Sequence, residues 1–243
     1  MRKVIIIGAT SGIGFELAKL YAQNGDKVGA TGRRNELLEK LKSTFPEQVV
    51  TECFDVMANE NIPHLESLIK RLGGLDVLIY NSGYGDISDT LNWKIDQQTT
   101  KTNVIGFVEI VNFAFNYFVN QRSGQIAATS SIAAVRGNSQ APAYSASKAY
   151  MSVYMEGLHL KALKLKRKQP NTNIAITDIQ PGFVGTRMAK GKGRFWESPV
   201  DKAAKQIFVS IQRKKRRVYI TRRWSIIAGI LKWLPYSIYK WWA

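Results

Sequence analysis

The sequence predicts an α/β protein: one doubly wound, Rossmann-type parallel sheet of about seven strands, with helices on both faces. Three observations carry that expectation. Apolar runs of strand length alternate with helix-period segments from the first residues to about residue 221. No internal repeat and no Pro/Gly-rich linker breaks the series. Each chemistry-bearing motif directly follows the end of an expected strand, the edge at which such sheets bind ligands.

Residues 2–8 (R-K-V-I-I-I-G) read as a buried parallel strand. The turn G-A-T-S-G-I-G follows, and from Ile13 a helical pattern runs to Asn24-Gly25. A strand, a glycine turn and a helix in that order form a dinucleotide-binding unit. Gly8, Gly12 and Gly14 let the backbone approach a diphosphate, while the helix N-terminus supplies free N–H groups. The expected cradle is Gly8, Thr10, Ser11, Gly12, Ile13 and Gly14. A second strand, 27–31, leads to Gly32-Arg33-Arg34 and a helix over 35–43. A carboxylate here would bind a ribose 2′-hydroxyl; two arginines instead favour a 2′-phosphate, hence NADP(H) over NAD(H).

A third strand is expected over 49–56, ending near Asp55, and a helix over 60–72 stops at Gly73-Gly74. The run L-D-V-L-I-Y (75–80) is a fourth strand, followed by Asn81-Ser82-Gly83. One long apolar helix is expected over 92–121, with Asn103 inside it. A buried amide there needs partners. A fifth strand over 124–131 feeds S-S-I-A-A-V-R-G-N-S-Q-A-P-A-Y-S-A-S-K (130–148), and the helix holding Tyr144 and Lys148 runs to about Lys168. A sixth strand, 173–179, ends in Gln180-Pro181-Gly182. Residues 183–199 read as a loop and lid beside the site; a helix over 200–212 and a strand over 217–221 complete the series.

Tyr144 and Lys148 are four apart and share one helix face. A phenol is a poor acid-base catalyst with its ordinary pKa of about 10, and an ammonium beside it favours the phenolate. Ser131 can fold back over the pair and hold a carbonyl oxygen while the tyrosine gives up its proton. Alone, Y-x-x-x-K is a common pattern that also fits an ordinary amphipathic helix. Its setting after a strand end, in a chain with a dinucleotide unit, gives it meaning.

Composition narrows the alternatives. The chain has 243 residues, 45% of them hydrophobic, enough for a substantial core. A single cysteine, Cys53, excludes an internal disulfide and a cysteine-based zinc site, which fits a reducing compartment. His64 and His159 lie far apart in helical patterns, so no metal site is expected. The apolar run after Lys3 is too short for a signal peptide. The expected location is cytoplasmic, with a peripheral place at the inner face of a membrane as a further reading.

The chain resembles the short-chain dehydrogenase/reductase family over about residues 2–221. The resemblance rests on G-A-T-S-G-I-G (8–14), Asp55, N-S-G (81–83), Asn103, Ser131, Y-S-A-S-K (144–148) and P-G-F-V-G-T (181–186). It implies an NADP(H)-dependent oxidoreductase that interconverts a carbonyl and an alcohol, with a catalytic tetrad of Asn103, Ser131, Tyr144 and Lys148. Tyr144 would be the acid in reduction and the base in oxidation. Lys148 would lower its pKa and hold the nicotinamide ribose, Ser131 would orient the carbonyl, and Asn103 would support a water in a proton relay. Asp55 and Val56 would contact adenine, Asn81 would steady the sheet beside the cofactor, and Ser82 and Gly83 would join it in binding the cofactor. Pro181, Gly182, Phe183, Val184 and Thr186 would line the carboxamide and diphosphate. Arg33, supported by Arg34, would select NADP(H). Ile7 and Ser82 depart mildly from the family's usual threonine and alanine, and Ser11 stands where some NADP users carry a second basic residue. The family also implies a homo-oligomer, dimer or tetramer.

The substrate contacts expected are Tyr84, Gln140, Phe183, Phe195 and Trp196, mainly apolar, so the substrate is read as a small hydrophobic or lipid-like carbonyl or alcohol. The chain divides into a dehydrogenase/reductase domain, 1–221, and a hydrophobic, Trp-rich extension, 222–243, which carries four of the six tryptophans. Residues 148–243 hold 21 Lys/Arg against 4 Asp/Glu, the whole of the +17 excess, while residues 1–147 balance. An anionic membrane surface is one partner for that extension; packing on the protein's own surface or on a second subunit is another, and a spanning helix a third. On the extension, Ser225, Ala228, Gly229 and Lys232 share one narrow helical stripe, and Pro235 breaks the pattern. Nucleic acid is not expected as a partner. The competing function readings are a non-catalytic dinucleotide-binding scaffold and a basic protein that binds anionic membrane or nucleic acid.

Overall fold

The computed structural model describes residues 1–58, 60–186 and 195–241. Seven parallel strands form one sheet: β1 (Lys3–Ile7), β2 (Lys27–Gly32), β3 (Val49–Cys53), β4 (Val77–Tyr80), β5 (Ser123–Thr129), β6 (Asn173–Pro181) and β7 (Arg217–Ile220). Their spatial order is β3-β2-β1-β4-β5-β6-β7. The chain runs outward from β1 to β3, then returns to β4 on the other side. That reversal opens a crevice between β1 and β4 at the carboxyl ends of the strands.

Strand alternation divides the core. Val4 and Ile6 of β1 join one cluster, where α1 (Gly12–Gln23), α2 (Asn35–Thr44) and α7 (Val200–Gln212) pack through residues such as Leu17, Leu38 and Ile207. Ile5 and Ile7 point to the other face, covered by α3 (Asn61–Leu72), α5 (Gly106–Gln121) and α6 (Pro142–Lys168), where Leu68, Phe107 and Met151 are buried. Both faces are covered, which explains strands that read as continuous apolar runs.

Two expected elements differ by more than two residues at an end or in continuity. The third strand stops at Cys53, short of the expected 56. Asp55 takes the chain out of the sheet: its carboxylate accepts from the Met57 N–H at 3.1 Å and its carbonyl from the Ala58 N–H at 2.9 Å, a turn typical of Asp. The long helix expected over 92–121 is three pieces: α4 (Trp93–Thr100), a π-helical turn over Lys101–Ile105, and α5. Asn92 caps α4 by accepting from the Lys94 and Ile95 N–H groups. The π turn contains Asn103 and re-aims its amide, the local distortion that such turns bring to functional positions.

Past β7 the extension folds as α8 (Trp224–Trp233) and α9 (Tyr236–Tyr239), separated at Leu234-Pro235 as the proline requires. Of its expected small-residue stripe only Ala228 is buried; Ser225, Gly229 and Lys232 are exposed. At ten residues, α8 is too short to cross a bilayer. Among the described residues, the one helical stretch long and apolar enough to cross is Trp93–Gln121, and it is half buried in the core.

Candidate active site

The site begins with the turn after β1. A Cβ at Gly14 would lie 2.1 Å from the Gly8 carbonyl oxygen, so only glycine lets the helix start this close to the strand. Ser11 is the N-cap of α1, yet its side chain makes no capping bond. The first-turn N–H groups are thus left for an external acceptor, and a diphosphate supplies one. Thr186 borders the same turn, since a Cβ on Gly12 would lie 3.2 Å from its methyl carbon. These residues fit a dinucleotide.

Asn81, one residue past β4, spans the crevice. It donates to the Gly8 carbonyl at 3.2 Å and accepts from the Thr129 hydroxyl at 3.0 Å, linking the ends of β1, β4 and β5. Ser82 lies against Gly8, where a Cβ would stand 2.8 Å from the Ser82 backbone. Arg33 reaches Asp55 at 3.5 Å, while Arg34 donates to the hydroxyls of Thr10 and Ser11, each at 2.7 Å. The two arginines therefore do different things. Arg33 stands at the rim with much of its guanidinium exposed, and Arg34 ties the end of β2 to the glycine turn. Val56 is buried, and its carbonyl accepts from Asn61 at 3.2 Å.

Ser131 follows β5 and opens a 3-10 turn over Ile132–Ala134. Its oxygen accepts from the Ala133 N–H at 3.1 Å, which leaves the hydroxyl proton to donate elsewhere. Tyr144 stands near the start of α6 with Ser131 close enough to act on its phenol. Burial pushes the phenol above its ordinary value, and Ser131 pulls it back. The lowering that the sequence led us to expect from Lys148 is not found; the opposing pull comes from Ser131. The Lys148 ammonium lies 5.8 Å from the centroid of the Tyr144 ring and donates to the Thr129 carbonyl at 2.9 Å. Burial brings the Lys148 ammonium down to about 8, and the Asp178 carboxylate opposes that fall.

Asn103 is fully buried behind this pair. Its amide donates to the Tyr84 carbonyl at 2.7 Å and to the Ser147 hydroxyl at 2.9 Å, and its oxygen accepts from the Tyr84 N–H at 2.9 Å. The tetrad positions thus meet through neighbours: Asn103 reaches α6 through Ser147 and holds the loop that follows Gly83. That loop lies on Tyr144, for a Cβ at Gly85 would stand 2.3 Å from its ring.

The expected substrate residues fall into two groups. Gln140 lines a small pocket with Tyr144, Asp86, Ser88 and Ile95, a more polar lining than expected. Phe183, Phe195 and Trp196 gather in an aromatic cluster around Trp224, with ring centroids 5.1 to 6.2 Å from it. Tyr84 contributes its backbone to Asn103. Pro181 ends β6, and the Gly182 N–H donates to the Ile220 carbonyl at 2.6 Å. Val184 is buried and bridges Ser198. Of the expected lid, residues 187–194 lie outside the described residues.

Sequence reasoning missed a buried network behind the site. The Asp178 carboxylate accepts from Ser130 at 2.5 Å, Ser152 at 2.7 Å, Gln180 at 2.8 Å and Arg217 at 3.1 Å. A charged residue in the middle of an apolar strand pattern was the available signal. Ser147 was missed although it sits inside Y-S-A-S-K. Among the described residues no cluster of His, Cys, Asp or Glu could hold a metal ion.

Comparison with known proteins bears on this geometry. The short chain dehydrogenase family matches residues 2–195. An uncharacterised oxidoreductase of Myxococcus xanthus is 31% identical over 193 residues, 77% of this chain and 74% of that protein. A dehydrogenase/reductase SDR family protein 7-like protein of Dictyostelium discoideum is 28% identical over 217 residues, 79% of this chain and 66% of that protein. The solved structure of ElxO with NADP bound superposes with a TM-score of 0.75 at 21% identity, covering 90% of this chain and 97% of ElxO. A 3-ketoacyl-(acyl-carrier-protein) reductase from Brucella melitensis, complexed with NADH, gives a TM-score of 0.79 at 18% identity over 90% and 96% of the two chains.

Proposed function

Because the chain belongs to the short-chain dehydrogenase/reductase family of NAD(P)-dependent oxidoreductases, we propose that it is an NADP(H)-dependent enzyme interconverting a hydrophobic, lipid-like carbonyl and its alcohol. The observation that carries the reading is the Lys148 ammonium 5.8 Å from the centroid of the Tyr144 ring, with Ser131 acting on the same phenol, beside a glycine turn whose N-cap side chain makes no capping bond. When bound, the cofactor supplies or takes up the hydride. Gly8, Thr10, Ser11, Gly12, Ile13 and Gly14 hold its diphosphate, and Asp55 and Val56 border its adenine. Ser131 donates to the carbonyl oxygen, and Tyr144 delivers the proton that completes the alcohol. Lys148 presents positive charge beside the phenol, which favours the phenolate left behind. Asn103 acts by holding the loop over Tyr144.

The preference for NADP(H) is supported by Gly32-Arg33-Arg34, which places two cations and no carboxylate after β2. An apolar substrate is supported by the aromatic cluster of Phe183, Phe195, Trp196 and Trp224. We also infer a homo-oligomer, dimer or tetramer, supported by the exposed Tyr150, Val153, Leu160 and Leu163 on α6. The exposed free thiol of Cys53 is compatible with a cytoplasmic protein.

The test is NADPH oxidation against a panel of ketones and acyl-derived carbonyls of increasing chain length. The expected result is turnover that improves with chain length, lost in Tyr144→Phe while NADPH binding survives. Tight NADPH binding with no turnover on any carbonyl would favour the scaffold reading.

A further inference from the structure

The chain leaves β7 at the edge of the sheet that carries the site, and the extension stays there. Trp224 and Ala228, one turn apart on α8, are its buried residues. Trp224 lies flat on Gly182, where a Cβ would come 2.1 Å from its ring. Arg136, in the loop between Ser131 and Tyr144, donates to the Leu231 carbonyl at 2.8 Å and also to that of Leu234. Both carbonyls belong to the end of α8, where acceptors lack helical partners and the dipole is negative. The Arg136 guanidinium also lies 5.2 Å from the centroid of the Tyr239 ring, and the Tyr239 phenol donates to the Gly137 carbonyl. The extension is thus strapped to the catalytic loop. The basic runs at 164–168 and 213–216 end α6 and α7, which run against the strands, so they lie at the opposite edge.

The outer face of the extension is apolar. Ile226, Ile230 and Trp233, at spacings of four and three, share one side of α8; Ile226 is 62% exposed and Trp233 88%. Tyr236, Ile238 and Trp241 continue the exposed apolar surface beyond Pro235, with Trp241 at 81%. Single exposed apolar residues are ordinary, but six within sixteen positions form a patch. Arg222, Arg223, Lys232 and Lys240 are exposed among them, and residues 222–243 contain no Asp or Glu. At about 15 Å, α8 is half the thickness of the hydrocarbon layer, so it suits the plane of the interface.

We propose that α8 and α9 dock on an anionic lipid bilayer, with Ile226, Ile230, Trp233 and Trp241 entering the headgroup boundary and Arg222, Arg223, Lys232 and Lys240 facing lipid phosphates. Tryptophan and tyrosine favour that depth, and cations beside it gain from anionic lipid. A second copy of the chain is the weaker occupant. A two-fold contact would set these four cations against the same four, with no carboxylate within the extension to offset them. Through Arg136, docking would hold the mouth of the site against the bilayer. That this mouth admits a carbonyl substrate rests on the proposed function; the docking does not.

The experiment is flotation of the full chain with phosphatidylcholine vesicles, with and without phosphatidylglycerol, beside Ile230→Asp/Trp233→Asp. The expected result is flotation with the anionic vesicles only, weakened by salt, and partition lower by about tenfold or more in the variant. The variant's melting temperature and NADPH affinity should match the wild type, because both side chains are exposed. Wild-type protein that stays unbound with anionic vesicles overturns the proposal. So does a variant that floats equally well, or a particle mass in solution that halves in the variant without vesicle binding by either protein. Loss of flotation with NADPH oxidation intact would leave the oxidoreductase reading standing, and absent turnover with flotation intact would leave the docking standing.

Discussion

Lys148 donates to the Thr129 carbonyl at 2.9 Å, so the ammonium is fixed at the end of β5 and beneath the Tyr144 ring. Burial brings its pKa down to about 8. The charged form prevails below that value, so turnover by a mechanism that uses the ammonium falls as pH rises through about 8. Cofactor binding adds charge nearby, and the limb is therefore read in kcat/KM, which reports the free enzyme. Lys148→Met should lose the limb along with most of the activity.

The same group makes a stability prediction. Between about pH 8 and the ordinary lysine value of 10.5, the unfolded chain holds a proton on Lys148 that the folded chain has released. Its contribution to stability therefore rises with pH through that window. Burial raises Tyr21 and Tyr80 above their ordinary 10, so they oppose this only above about pH 10. Urea melts of wild type and Lys148→Met at intervals from pH 7.5 to about 9.5 should show a wild-type rise that the variant lacks. Parallel curves would contradict it.

Asp178 gathers four donors in the core, one of them the side-chain nitrogen of Arg217 at 3.1 Å. Asp178→Asn leaves the Arg217 guanidinium with Glu156, at 3.2 Å, as its remaining carboxylate, and mismatches the hydroxyls of Ser130 and Ser152. Each buried hydroxyl left mismatched costs about 1–3 kcal/mol. Denaturant unfolding is the measurement. Asp178→Asn/Arg217→Met should recover part of the loss, since it also removes the guanidinium that has lost its buried carboxylate.

Asn103 shows how much of this was legible beforehand. Its buried amide within an apolar pattern called for partners, and the structure supplies Tyr84 and Ser147. The π turn that aims it was invisible, because one extra residue in a helix leaves the apolar periodicity nearly unchanged. The sheet was readable because strands buried on both faces are continuous apolar runs. The Asp178 network and the Arg136 strap join residues far apart in sequence, and no local pattern records which buried donor meets which acceptor. The path of the extension was equally hidden, since its apolar residues suit a protein surface and a membrane alike.

Replacing Asn103 by leucine leaves the Tyr84 N–H and carbonyl without their partner, each costing about 1–3 kcal/mol if it stays buried. The loop on Tyr144 should loosen. Hydrogen exchange should therefore rise at Tyr84 and Gly85 while the strands keep their protection, and kcat should fall further than NADPH affinity. Uniformly faster exchange would assign Asn103 to global stability alone.

Arg33 and Arg34 are separable by experiment. Arg33 is largely exposed and pairs at 3.5 Å with the rim carboxylate of Asp55, so its guanidinium can turn to a 2′-phosphate at little structural cost. Arg34 is bonded to Thr10 and Ser11 of the glycine turn, which every dinucleotide uses. Arg33→Ala should weaken NADPH by about 10- to 100-fold, the loss of one charge-assisted contact, and leave NADH nearly unchanged. Arg34→Ala should weaken both cofactors, because it releases the turn that holds the diphosphate. Titration of each variant with NADPH, NADH and 2′,5′-ADP reads the difference directly. If Arg33→Ala weakened NADH as much as NADPH, selection of the phosphate would have to move to Arg34.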